Sequence, residues 1–173
     1  MPLITLFTAP KPFTDPHINV IQRNALRNWQ AFGDQVEVVV IGDEPGIADV
    51  CRELNVIHLP QVACNPLGTP LISSIFALAR EVNDSPYLAY SNADILFLPG
   101  WVDAVMKLGA QKDRFLGVGQ RWDLDVTEPL DFAGQWSEDL QKRISASGKL
   151  HKQTGSDYFI YTRPCFQDIP DFA

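Results

Sequence analysis

The sequence has no long apolar run, no block of basic residues, no internal repeat and no CxxC pair. Its longest apolar stretches fall short of the ~18 residues that span a bilayer. A net charge of −7 with scattered Lys and Arg disfavours DNA, RNA or an anionic membrane as the main partner. The three cysteines, Cys51, Cys64 and Cys165, predict reduced thiols rather than a disulfide framework or a zinc site. Since the N-terminus also lacks the basic region of a signal peptide, we predict a cytoplasmic protein without a membrane span.

The composition is that of a folded domain, because 46% of the 173 residues are apolar and 20% are charged. This length fits one domain with a sizeable core and is short for two. The sequence stops at 167–173 (QDIPDFA) without a closing helix. We therefore predict a single domain over 1–173 that is truncated at its carboxyl end.

Apolar strand patterns alternate with amphipathic helix patterns from the first residues onward. Strands are predicted at 3–9, 36–41, 56–59, 115–119 and 158–161, with another starting at Tyr87. Helices are predicted to begin near 16, 45, 69, 101 and 137, and the acidic segment 122–132 is predicted to be a loop. This alternation predicts right-handed βαβ crossovers and therefore a three-layer α/β/α fold with a mainly parallel central sheet.

The segment 87–95 (YLAYSNADI) is the most informative part of the chain. Its apolar run ends abruptly in small and polar residues, with Asp94 at the tip. In α/β folds, ligands bind at the carboxyl ends of strands. A lone carboxylate there suits a hard cation such as Mg²⁺, which takes its remaining ligands from substrate phosphates and water. The alternative interpretation is that Asn92 and Asp94 only cap the turn after the strand.

Three other loops are predicted to bring polar groups to the same edge of the sheet. The first strand ends in Thr8 and Ala9, Asp43 follows the second strand, and Thr69 precedes the third helix. Helix N-termini present free N–H groups and a positive dipole to phosphate. A carboxylate at Asp43 is placed to accept hydrogen bonds from a base or a ribose. The alternatives are that Asp43 caps the following helix and that Thr69 is an ordinary N-cap.

Five segments carry a family resemblance: 21–29 (IQRNALRNW), 37–44 (EVVVIGDE), 68–71 (GTPL), 90–95 (YSNADI) and 155–159 (GSDYF). In order and spacing they resemble GT-A-type glycosyltransferases, the bacterial nucleotide-sugar transferases, over nearly the whole chain. The resemblance implies a nucleotide-sugar-binding domain over 1–173, a nucleoside-diphosphate-sugar donor, a hydroxyl acceptor and Mn²⁺ or Mg²⁺. The residues implied to bind the donor are Thr8, Ala9, Asp43, Thr69 and Asn92.

The triplet 92–94 (NAD) occupies the place of the Asp-x-Asp motif of this family. The resemblance implies that Asp94 binds a divalent metal that bridges the two phosphates of the donor. Asn92 replaces the first acid of the motif. An amide can hydrogen-bond a ribose hydroxyl but is a poor ligand for a hard cation. His151 is implied to complete the metal shell, as a histidine does in some related enzymes, and its alternative is an exposed loop residue.

Further acids occur late in the chain. Asp157 opens the last predicted strand and is the candidate catalytic base for an acceptor hydroxyl, the alternative being a bond to the backbone. A literal Asp-x-Asp, formed by Asp123 and Asp125, lies about thirty residues after the fourth strand. The favoured interpretation is a solvated acidic loop, and the other is a contact to the sugar or the acceptor.

The resulting prediction is a metal-assisted glycosyltransferase. A non-catalytic or truncated nucleotide-binding domain is the alternative, because the chain lacks the later acidic motif that carries the base in inverting members of the family. A sugar nucleotidyltransferase is disfavoured. Such an enzyme needs a glycine-rich turn with a basic residue after the first strand, and this chain has two prolines at 8–12 (TAPKP).

Overall fold

A computed structural model describes all residues from Met1 to Ala173. The strands are β1 (Ile4–Thr8), β2 (Val36–Ile41), β3 (Ile57–Leu59), β4 (Tyr87–Ser91), β5 (Leu116–Val118), β6 (Trp122–Asp123), β7 (Lys149–Leu150) and β8 (Tyr158–Thr162). The helices are α1 (Pro16–Gln30), α2 (Ile47–Leu54), α3 (Ile72–Glu81), α4 (Gly100–Gln111) and α5 (Trp136–Ser147), with a 3₁₀ turn at Gly33–Gln35.

Six strands form the central sheet in the order β3-β2-β1-β4-β8-β5. β1 pairs in parallel with β2 and β4, and β2 pairs in parallel with β3. β8 runs antiparallel to both β4 and β5. The predicted α/β class with a mainly parallel sheet is thus confirmed. The carboxyl ends of β2, β1 and β4 follow one another along a single edge, at a spacing of about 4.8 Å per strand.

Helices cover both faces of the sheet, as the alternating pattern predicts. On one face α1, α2 and α4 contribute the buried side chains of Trp29, Ile47 and Val102 to the larger core cluster. On the other face α3 contributes Ile75 and Ala79 to a second cluster. Full burial of an aliphatic side chain of this size contributes about 1.5–3 kcal/mol, so these faces fix the helices on the sheet.

Local signals determine where α1 begins. Asp15 is its N-cap, and the Asp15 carboxylate accepts hydrogen bonds from the backbone N–H groups of His17 and Ile18, both at 2.9 Å. Pro16 occupies the first helical position, where a missing N–H costs nothing. The predicted start of this helix is confirmed.

The predicted start of α3 at Thr69 is wrong, since the helix begins at Ile72. The side chain of Asn65 accepts hydrogen bonds at 2.9 Å from the backbone N–H groups of Leu67 and Thr69, and this turn holds Thr69 outside the helix. An antiparallel bridge between Cys64 and Pro70 extends the same irregular segment.

The predicted loop at 122–132 is also partly wrong. Its first two residues form β6, which pairs antiparallel with β7 in a separate two-stranded sheet. Two-residue strands carry no periodic pattern, so the sequence gives no signal for them. No helix of the chain combines the length and the apolar character that a membrane crossing requires.

Candidate functional site

The loop after β4 carries Asp94 and is anchored from behind by α1. The side-chain amide of Asn28 donates to the Phe97 carbonyl at 3.1 Å and accepts from the Phe97 N–H at 2.7 Å. The indole N–H of Trp29 donates to the Ile95 carbonyl at 2.9 Å. Because both anchoring side chains are fully buried, the loop is held on a rigid element. Asp94 itself is exposed.

A cleft of about 860 Å³ opens beside this loop. It is lined by Asn92 and Asp94 from the β4 loop, by Asp123 and Asp125 from the segment around β6, and by Asp157 from the start of β8. The predicted strand-end acid therefore shares one cleft with the later acids. The structure places Asp123 and Asp125 in this cleft, not in a loop apart from it.

Arg121 connects the later acids to one another. Its Nε donates to Asp123 Oδ1 at 2.7 Å, and its Nη1 donates to Asp157 Oδ1. Its Nη2 lies 3.1 Å from Nδ1 of His151. Asp123 Oδ2 in turn lies 2.8 Å from the same ring nitrogen. These four side chains form what we call the Arg121 cluster.

Asp157 links the Arg121 cluster to the β4 loop. The backbone N–H of Asn92 donates to the Asp157 carbonyl at 2.9 Å, and Asn92 Nδ2 donates to Asp157 Oδ1 at 3.3 Å. The antiparallel register that pairs Ser91 with Tyr158 brings these residues together. The side chain of Asp157 is only 8% exposed, and its Oδ2 is buried without a hydrogen-bond partner. One oxygen of this buried carboxylate is therefore left without a partner in the protein.

The charges of the cluster perturb its titrating groups. The hydrogen bond from Arg121 is the main reason that the pKa of Asp123 is held below its usual value, with a further hydrogen bond from His151. The hydrogen bond to Asp123 raises the pKa of Arg121 in return, against a smaller opposing effect of burial. Burial raises the pKa of Tyr158, whose ring also lines the cleft. Asp123 is thus a carboxylate at neutral pH.

Of the residues expected to bind the donor, Asn92 lines the cleft and the other four lie outside its lining. Thr8 ends β1, and its buried hydroxyl has no hydrogen-bond partner. Ala9 follows it and is partly buried. Asp43 is exposed after β2, and the N-cap of α2 is Gly46, so Asp43 does not cap that helix. Thr69 lies in the loop before α3, two residues before the N-cap Leu71, and is not itself the N-cap.

The two metal ligands expected from the sequence, Asp94 and His151, do not form a cluster of protein ligands around one point. No three His, Cys, Asp or Glu side chains of the chain are grouped so that they could hold a metal ion. Asp94 lines the cleft, whereas His151 lies behind Arg121 with its Nδ1 against Asp123. A single carboxylate suits a cation that takes its other ligands from phosphates and water.

Arg121 is the functional candidate that the sequence analysis did not single out. It is the side chain that brings Asp123, Asp157 and His151 together, and it stands 30 or more residues from two of them in sequence. The one signal in the sequence is that Arg121 lies two residues before the acidic pair Asp123 and Asp125 in a chain of net charge −7. That signal does not show that Arg121 contacts Asp157 and His151.

No protein-family profile matches the sequence, and no curated protein matches it. Among solved structures, the chain is similar to the crystal structure of S. aureus TarS 1-349, with 12% identity and a TM-score of 0.44. The similarity covers 73% of this chain and 42% of that one, so the chain spans less than half the length of that structure. A similarity at this level carries no conclusion about function.

Proposed function

We propose that the chain is a glycosyltransferase that moves a sugar from a nucleoside-diphosphate sugar to a hydroxyl acceptor with the help of Mn²⁺ or Mg²⁺. The observation that carries the proposal is the joint position of Asp94 and Asn92. Both follow the carboxyl end of a parallel strand, and both line the cleft that holds the remaining acids. This is the edge where open α/β sheets bind their ligands.

The strand order supports a nucleotide position beside the cleft. Asp43 follows β2, Thr8 ends β1 and Asp94 follows β4, and these three strands are neighbours in the sheet. A base and ribose bound over β2 and β1 direct the diphosphate towards Asp94. The sugar then points into the cleft lined by Asp123 and Asp157.

In this proposal Asp94 holds the metal ion, which would offset the negative charge that develops on the leaving diphosphate. Asn92 positions the donor through a hydrogen bond to a ribose hydroxyl. His151 is not used as a metal ligand, because its Nδ1 already faces Asp123 at 2.8 Å. Asp157, the base expected from the sequence, adjoins Asn92 at the acceptor side of the cleft.

Isothermal titration calorimetry with UDP and GDP, each with and without Mn²⁺, tests the proposal. We expect one nucleotide to bind, and to bind more tightly with the metal. Asp94→Ala should remove the metal dependence without unfolding the protein, because an exposed side chain leaves no cavity. Asn92→Ala should weaken binding by about 1 kcal/mol, the value of a neutral hydrogen bond.

Asp34→Ala is the matched control, since Asp34 is an exposed acid before β2, at the opposite edge of the sheet. This variant should bind as the unmodified chain does. Failure to bind any nucleoside diphosphate would contradict the proposal. Equal losses from Asp94→Ala and Asp123→Ala would assign the metal to the later acidic pair instead. Nucleotide binding without any turnover would favour the non-catalytic alternative.

A further inference from the structure

The cleft has room for more than the sugar of a donor, and its lining is mainly apolar. Its volume is about 860 Å³, and 12 of its 23 lining residues are hydrophobic. Thr8 and Asp43, which are proposed to hold the nucleotide, lie outside that lining. A cleft of this size and composition is typical of sites that enclose a drug-sized organic molecule. The space beyond the donor sugar is therefore available to the acceptor.

Two helices and the segment between them supply the aliphatic side chains of the cleft. Ile21 comes from α1, and Leu140 and Ile144 lie four residues apart on one face of α5. Leu124 and Val126 come from the segment after β6. We call these five side chains the apolar wall.

Hydrogen bonds connect the three parts of the chain that carry the apolar wall. The Asn24 side chain of α1 donates to the Glu128 carbonyl at 2.9 Å and accepts from the Leu130 N–H at 2.8 Å. The Glu128 carboxylate accepts from Arg143 of α5 at 2.7 Å. Side chains that only docked α5 onto α1 would close against one another, since protein interiors leave few voids larger than a water molecule. The apolar wall instead faces an open cleft.

The polar part of the cleft is rich in acids and poor in free cations. Its carboxylate and basic side chains are Asp94, Asp123, Asp125, Asp157, Arg121 and Lys149. Arg121 is already bound to Asp123 and Asp157, which leaves the exposed Lys149 as the remaining cation. An acceptor with a phosphate or carboxylate group would therefore meet more negative than positive charge in this cleft, and like charges oppose binding.

We propose that the acceptor is an uncharged hydroxyl compound with an alkyl or aryl group, and that the apolar wall selects it. This inference rests on the proposed function. Contact with the wall removes the apolar group from water, which favours binding in proportion to the area buried. Asp125 is exposed in the cleft and stands outside the Arg121 cluster, so its carboxylate is placed to accept a hydrogen bond from an acceptor hydroxyl.

A series of alkyl β-D-glucosides tests the apolar wall. Methyl, butyl and hexyl glucoside are titrated by calorimetry below their micelle concentrations, alone and with Mn²⁺ plus UDP or GDP. We expect binding to tighten about two- to fourfold for each methylene that is buried. Phenyl glucoside is the aryl member, and its affinity relative to hexyl glucoside shows which of the two groups the wall prefers. Equal affinities across the alkyl series, or no binding of any member, would overturn the proposal.

Ile144→Asn places an amide on the apolar wall at a half-buried position. We expect it to weaken binding of hexyl glucoside by about tenfold and to flatten the alkyl series, at unchanged nucleotide affinity. Leu124→Asn, outside any helix or strand, should do the same if Ile144→Asn unfolds the protein. Met106→Asn is the matched control, since Met106 is an exposed apolar side chain of α4 outside the cleft. An equal loss in Met106→Asn would show binding elsewhere on the surface and would overturn the proposal.

Hexyl β-D-glucuronide tests the role of charge, because a carboxylate replaces the hydroxymethyl group of hexyl glucoside. We expect the glucuronide to bind about fivefold more weakly at neutral pH, and Asp125→Asn to narrow that difference. Asp103→Asn removes an exposed acid of α4 outside the cleft and should leave the difference unchanged. Tighter binding of the glucuronide, lost in Lys149→Gln, would show a site for anionic acceptors and overturn the proposal.

These results separate the acceptor class from the proposed function. A chain that binds no nucleoside diphosphate would refute the transferase, and the alkyl series would still decide whether the cleft selects apolar hydroxyl compounds. A flat series together with Mn²⁺-dependent nucleotide binding would refute the acceptor class alone.

Discussion

Removal of Arg121 should destabilise the protein far more than removal of an ordinary surface arginine. Arg121→Gln leaves Asp157 as a carboxylate that is 8% exposed, with only the 3.3 Å hydrogen bond from Asn92. Loss of one partner from a buried ion pair costs about 3–5 kcal/mol. Because the side chain of Arg121 is itself 31% exposed, water can replace part of the lost contact. We therefore expect Arg121→Gln to lower the free energy of unfolding by about 2–3 kcal/mol, less than for a fully buried pair.

A double-mutant cycle separates this ion pair from other effects of the substitution. Asp157→Asn alone should cost less, about 1 kcal/mol, because Arg121 keeps its hydrogen bond to Asp123. In the Asp157→Asn background, Arg121→Gln no longer leaves a buried charge without a partner. The coupling energy between the two sites should therefore be about 1–2 kcal/mol.

The pair of Arg143 and Glu128 is the matched control. Its N–O distance is 2.7 Å, but its side chains are 36% and 52% exposed. Exposed pairs of this kind contribute about 0.2–1 kcal/mol. Urea unfolding, monitored by tryptophan fluorescence and circular dichroism, measures the coupling energies of the Arg121–Asp157 and Arg143–Glu128 pairs under the same conditions. A coupling energy for Arg121 and Asp157 no larger than that of the control pair would refute the reasoning from burial.

Three further outcomes follow from the site. The lowered pKa of Asp123 stabilises the folded state above the usual carboxyl value of 3.8, and this contribution should be lost as pH falls from that value through the lowered pKa. Asp123→Asn should remove this pH dependence from urea midpoints measured between about pH 2 and 6. Gly119→Ala would place a Cβ 1.6 Å from the Tyr158 ring and should lower the free energy of unfolding by about 1–3 kcal/mol. In a Tyr158→Ala background the same substitution should cost less, and additive losses would contradict this. Asn28→Leu removes both hydrogen bonds to the Phe97 backbone and should lower the free energy of unfolding in urea by about 2–4 kcal/mol. It should also weaken Mn²⁺-dependent nucleotide binding. Unchanged binding would show that Asn28 does not position the loop that carries Asp94.

The parts of the fold with strong local signals were predictable from the sequence. The capping Asp15 and the proline after it mark the start of α1, and the β-branched run at Val36–Ile41 marks β2. The start of α3 was not predictable in this way. The Thr69–Pro70 pair has the form of a helix start, but the side chain of Asn65, four residues earlier, captures the Thr69 N–H. Two local signals compete there, and the sequence does not show which prevails.

The candidate site also has one part that was predictable from the sequence and one part that was not. Asn92 and Asp94 were predictable because they end a single apolar run, which is a local feature of the sequence. The Arg121 cluster was not, since its members meet only when β6 pairs with β7 and β8 pairs with β4. The favoured interpretation of Asp123 and Asp125 from the sequence is accordingly a loop in solvent; both are exposed, and both also line the cleft.

The short β6–β7 ladder and the Arg121 cluster depend on each other. A two-residue ladder is marginal in water, and its cross-strand pair, Trp122 with Leu150, is half exposed on both sides. The backbone N–H of His151 donates to the Arg121 carbonyl at 2.9 Å, so the same two residues continue the ladder and join the ion-pair cluster. The cluster therefore holds the ladder that positions its own histidine.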